Sequence, residues 1–143
     1  MTDSPTATAV PRRDERGLTI SVFVLAILAA LVAVAGLVID GGQKVTAASA
    51  AEAAADGAAR AAGNAAATQR LAGRDGAGTA VLAAKAYLAG QPGVTGSVSL
   101  AGGVVRVDTS ASAPTIFLVA MGIDEVTGTG SATASVVPTG QER

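Results

Sequence analysis

Between Arg16 and Asp40 the chain runs for 23 residues without an ionisable side chain, GLTISVFVLAILAALVAVAGLVI from Gly17 to Ile39. As a helix rising ~1.5 Å per residue this run is about 34 Å long, against a hydrocarbon core of ~30 Å. A small soluble domain rarely encloses so long an uncharged helix. The run therefore reads as a transmembrane helix over residues 17–39, with the lipid bilayer as its first partner. Arg12, Arg13 and Arg16 precede it, and only Lys44 follows within the next turns. The positive-inside bias makes residues 1–16 a cytoplasmic leader and puts everything after residue 39 outside. The expected location is the cell membrane, single-pass, with an extracytoplasmic C-terminal domain.

A second reading competes with the first. Ala33-Val34-Ala35 has the A-x-A form of a signal-peptidase site, with Leu18–Val32 as the apolar region before it. Cleavage after Ala35 would release a secreted or surface binding module. The run continues past that site through Leu37, Val38 and Ile39, which weighs against cleavage. Arg12-Arg13 invites a twin-arginine reading, but Asp14-Glu15-Arg16 is the wrong context for it. Within the run, Ala29, Ala33 and Gly36 fall at i, i+4 and i+7 and form a possible helix-packing stripe.

Beyond the run, small side chains dominate. Ala fills 34 positions of the chain and Gly 18. Residues 40–75 read as an extracytoplasmic Ala-rich helix, loosened or kinked at Gly41-Gly42, with Glu52, Asp56 and Arg60 stepping along one polar face. Asp56 and Arg60 have the spacing of an i,i+4 ion pair. An unbroken helix from Leu18 to Ala72 would extend ~80 Å. GRDGAG at 73–78 reads as a loop, and Thr79 as the cap of a second helix stopped by Gly90 and Pro92. Leu71 is expected to join the bulky residues of that helix.

The remainder alternates with the period of strands. Val94, Gly96, Val98 and Leu100 share one face. Ala101-Gly102-Gly103 makes a hairpin turn. Val105, Val107 and Thr109 continue on the returning strand, with Arg106 and Asp108 opposite. Pro114 then reads as the first residue of a two-turn helix closed by Gly122. A last strand over 126–136 sets Thr and Ser against Val, Gly and Ala. Residues 76–137 thus read as a small α+β domain, a short helix with a three-stranded antiparallel meander, and 138–143 as a flexible tail. The expected fold class is α+β: a transmembrane helix extending into an Ala-rich helix, then a short helix and a small sheet, pilin-like in outline.

Composition narrows function. The chain has no Cys and no His, so thiolate and imidazole metal sites, disulfides and histidine acid–base chemistry have no residues to use. A formal charge of −1 argues against a nucleic-acid binder. No S-x-x-K spacing occurs, and the glycines at 73–78 lack the Lys-Ser/Thr of a phosphate loop. Asp124-Glu125 has the character of a solvated turn, Asp40 that of a helix-end boundary, and Lys85 that of a side chain snorkelling to water. The chain is expected not to be an enzyme, with no catalytic residue, cofactor, metal or small-molecule substrate.

The order of these features resembles the TadE/TadG-like proteins of bacterial Tad (Flp) pilus systems. The residues that carry the resemblance are RRDERG at 12–17, LVIDGGQKV at 37–45 and AAEAAADGAARAAG at 50–63. AYLAG at 86–90, PTIFLVAMGI at 114–123 and VTGTGSATA at 126–134 add a tail of the kind found in the actinobacterial branch. The resemblance implies a pilin-like minor component or assembly factor of a pilus or related secretion system. Its partners would be other pilus components or further copies of itself. It also implies a possible processing site at Gly17-Leu18, since some members are cleaved by a prepilin peptidase after a Gly. Those members carry Glu at the fifth position of the mature helix, where this chain has Val22.

Overall fold

A computed structural model describes residues 15–136, with side chains from Thr19 onward. The leader up to residue 14 and the tail from residue 137 lie outside the described residues. The elements in chain order are α1 (Glu15–Leu71), α2 (Ala77–Ala89), β1 (Val94–Ala101), β2 (Val104–Pro114), a short 3-10 turn (Leu118–Met121) and β3 (Glu125–Ser135). This is the expected α+β arrangement, with the strands as an antiparallel meander in the order β1-β2-β3. The chain divides into two units, residues 1–35 and 36–143.

The second unit is built around alanine. Ala51, Ala55, Ala58, Ala62 and Ala66 of α1 are fully buried, as are Ala80 and Ala84 of α2. All of these but Ala51 form one cluster with Leu88, Val105, Val107 and Val136, with Val98, Ala132 and Ala134 at the margin. Each Ala buries little apolar area, so the layers must approach closely to exclude water. Glycines on the sheet make that approach possible. A Cβ on Gly128 would stand 2.1 Å from the Ala48 nitrogen, and one on Gly130 would stand 2.4 Å from the Glu52 nitrogen. The backbone of α1 therefore rests directly on β3. Thr109 fastens the contact from β2: its buried hydroxyl donates to the Ala51 carbonyl at 2.7 Å, with the Gly130 carbonyl 3.1 Å away.

Turn chemistry sets the element boundaries. Gly73 adopts φ +69° after α1, the Arg74 N–H reaches back to the Gln69 carbonyl, and the Gly73 N–H to that of Arg70. This is a Schellman ending, which needs a left-handed residue. Gly102 and Gly103, both at positive φ, form the two-residue turn between β1 and β2, as a tight primed hairpin requires.

Four expectations need correction. Gly41 and Gly42 do not interrupt α1, which runs through them with the Thr46 hydroxyl donating to the Gly42 carbonyl. The second helix starts at Ala77, two residues before Thr79, because the Asp75 carboxylate accepts the Ala77 N–H. Pro114 ends β2 opposite Glu125 and does not open a helix. The apolar segment after it contains only the single 3-10 turn, capped by Gly122 in the left-handed region. Leu71 is 92% exposed and joins no cluster.

Candidate functional site

Two surfaces stand out, one in each unit. In the first, the bulky residues of α1 are exposed among the described residues. Ile20, Val22, Phe23, Leu25, Leu28 and Leu31 are each more than half exposed, and together they surround the helix. The core helix of a soluble domain would bury one side of this set. A helix apolar all round and uncovered has the character of a membrane span. Among the described residues it is the one helix long and apolar enough to cross a membrane. Ala29 and Ala33 of the expected packing stripe are exposed here. Gly36, the third member, belongs to the second unit and is buried: a Cβ on it would meet the Phe117 side chain at 2.5 Å. Gly17 and Leu18, the possible processing pair, lie on the first turns of α1, and their side chains are outside the described residues.

The second surface is organised by Asp40. One residue past the uncharged run, its side chain is only 1% exposed. One carboxylate oxygen accepts the Ile116 N–H at 2.7 Å. The other accepts the N–H groups of Phe117 at 3.0 Å and Leu118 at 2.7 Å. Burial pushes this carboxyl upward, but the three backbone donors outweigh it and hold the group below the usual carboxylate range. Asp40 is thus more than a helix-end boundary. It fixes segment 115–123 to α1 across 76 or more positions of sequence. Local patterns carry no sign of this beyond a lone acid at the end of an apolar run.

A third feature is polar. Glu52 and Asp56 of α1 face Arg106 and Asp108 of β2 and Ser131 of β3 across an open cleft of about 610 Å³. Arg106 closes a bidentate fork on Asp108, with Nε and Nη2 each 2.9 Å from a carboxylate oxygen. This hydrogen-bonded pairing holds Asp108 low and Arg106 high in pKa. It is the one ion pair among the described residues, so Asp56 and Arg60 do not close theirs. Both partners of the fork are about half exposed, which leaves their charges in water. No grouping of three or more Asp and Glu suited to a metal ion occurs among the described residues. Lys85 is exposed on α2, and Asp124 lends its backbone carbonyl to the Thr115 N–H.

Compared with known proteins, residues 17–70 match the family model for TadE/G-like Flp pilus assembly. The match starts at Gly17 and ends one residue short of the end of α1, so it covers the uncharged run and the Ala-rich continuation together. No curated protein and no solved structure matches the chain. The match supports a pilus-related role and, with the uncovered apolar helix, a place at the membrane.

Proposed function

We propose that this chain is a membrane-anchored, pilin-like minor component or assembly factor of a Tad/Flp-type pilus or related secretion system. It works by helix packing and not by catalysis. The observation that carries the reading is the coincidence of three things on α1: the family match over 17–70, the uncharged run over 17–39, and the exposure of its bulky residues on all faces. The cations before the run favour an inside leader and an outside domain. The tail beyond residue 70, outside the matched region, supports the finer likeness to actinobacterial members. Ala29 and Ala33 offer a close approach to a neighbouring membrane helix, from another pilus component or a second copy.

The test is genetic. In a cell that assembles Tad/Flp pili and carries this chain, deleting it should remove surface pili or sharply reduce them, and wild-type chain should restore them. Piliation and secretion unchanged by the deletion would contradict the reading.

The alternative of a released module rests on the A-x-A form of Ala33-Val34-Ala35. Release there would leave Gly36 and Asp40 with the domain that uses them. N-terminal sequencing of the mature protein separates the cases, since Gly36 as first residue means release and Leu18 means prepilin-type processing.

A further inference from the structure

The segment Thr115–Ile123, TIFLVAMGI, carries no charge, and most of its apolar side chains are exposed. Met121 is 77% exposed and Ile116 56%. Val119, Ile123 and Phe117 are exposed as well. A cluster of this kind on a domain with so little apolar area to bury needs a cover.

The position of the segment says what the cover is. Phe117 packs against Gly36, and Asp40 binds the N–H groups of Ile116, Phe117 and Leu118. Gly36–Ile39 is the last turn of the uncharged run and belongs to the same unit as the segment. The segment is thus held at the level where that run ends. Its backbone also suits an apolar medium. Thr115 closes the base, its N–H donating to the Asp124 carbonyl and its hydroxyl to that of Ile123. The N–H groups of Ala120, Gly122 and Ile123 are bonded inside the segment. With the three donors on Asp40, seven of its nine N–H groups are satisfied without water. Satisfied polar groups lower the cost of bringing irregular backbone towards the hydrocarbon.

We infer that Thr115–Ile123 is a lipid-inserting tongue that dips into the interfacial region of the leaflet on the domain side, giving the anchor a second point of attachment. The inference rests on the membrane-anchored reading above.

The absence of native Cys makes the test direct. Full-length Val119→Cys and Met121→Cys, labelled with nitrobenzoxadiazole, are reconstituted in phosphatidylethanolamine–phosphatidylglycerol vesicles at high lipid excess. Leu28→Cys reports the span and Thr129→Cys the solvent face of the sheet. All four positions are exposed, so the substitutions leave the fold alone. Lipid carrying a doxyl group high on its acyl chain should quench the probes at 119 and 121 several-fold more than the probe at 129. Quenching at 28 with none at 119 and 121 would overturn the tongue and leave the anchor standing. Lipid carrying the doxyl group near the end of its acyl chain reads the probe at 28, and absence of quenching there would overturn both. Shielding of 119 and 121 from aqueous iodide without lipid quenching would assign the patch to a protein contact and also overturn the inference.

Discussion

At the residue scale, a few small or charged side chains carry the fold. Gly128 and Gly130 are spaces and not hinges: the α1 backbone occupies the volume their side chains would fill. Gly128→Val and Gly130→Val should each lower stability by about 3 kcal/mol, the upper part of the range for overpacking, because what must move is backbone. Gly78 is the control. It lies inside α2 with open space around its Cβ position, so Gly78→Ala should raise stability by about 0.5–1 kcal/mol. Denaturant midpoints with unchanged m-values would check both signs. Asp40 and Asp108 give the pH dependence. Each has a native pKa below its unfolded value, so each contributes stability above the unfolded pKa and loses it as pH falls through the native one. Thermal stability should be flat at neutral pH and fall below about pH 4. Asp40→Asn cannot accept three N–H groups with a full charge. It should lower the unfolding midpoint by several degrees at pH 7 and flatten part of the acid limb, and an unaltered acid limb would count against Asp40 as its source.

At the element scale, α1 decides the rest. Its Ala-rich half has no Pro, so helix is favoured throughout, and the two glycines at 41–42 only weaken it locally. The β1–β2 hairpin depends on Gly102 and Gly103 in the left-handed region, where a side chain costs ~1–2 kcal/mol. Gly103→Val should destabilise the domain by that amount in urea titration. The hairpin, the alternation over β2 and β3 and the end of α2 were all legible in sequence, because each follows from nearest neighbours: period-two patterning, a Gly pair, a Gly before Pro92. The segment after Pro114 was not. Pro at a first helical position and Pro at a strand end look alike locally, and the choice was made by pairing with Glu125 and by the distant Asp40 carboxylate. Gly36 likewise read as part of a free packing stripe, yet it receives Phe117, a partner 81 positions on. Contacts at that separation leave no periodic trace.

At the scale of the whole molecule, the chain joins a helix whose described apolar side chains are exposed to an alanine-built domain with close-packed layers. The scarcity of large core side chains follows from the second. The family match over 17–70 spans both halves of α1, so the similarity to Flp pilus-assembly proteins lies in that helix and outside the sheet. All of it depends on residues 17–39 lying in a bilayer. Alkaline carbonate extraction of membranes from cells expressing the full chain tests this most directly. Full-length protein should stay in the membrane pellet and leave it only with detergent. Full-length protein released into the carbonate supernatant would contradict the account.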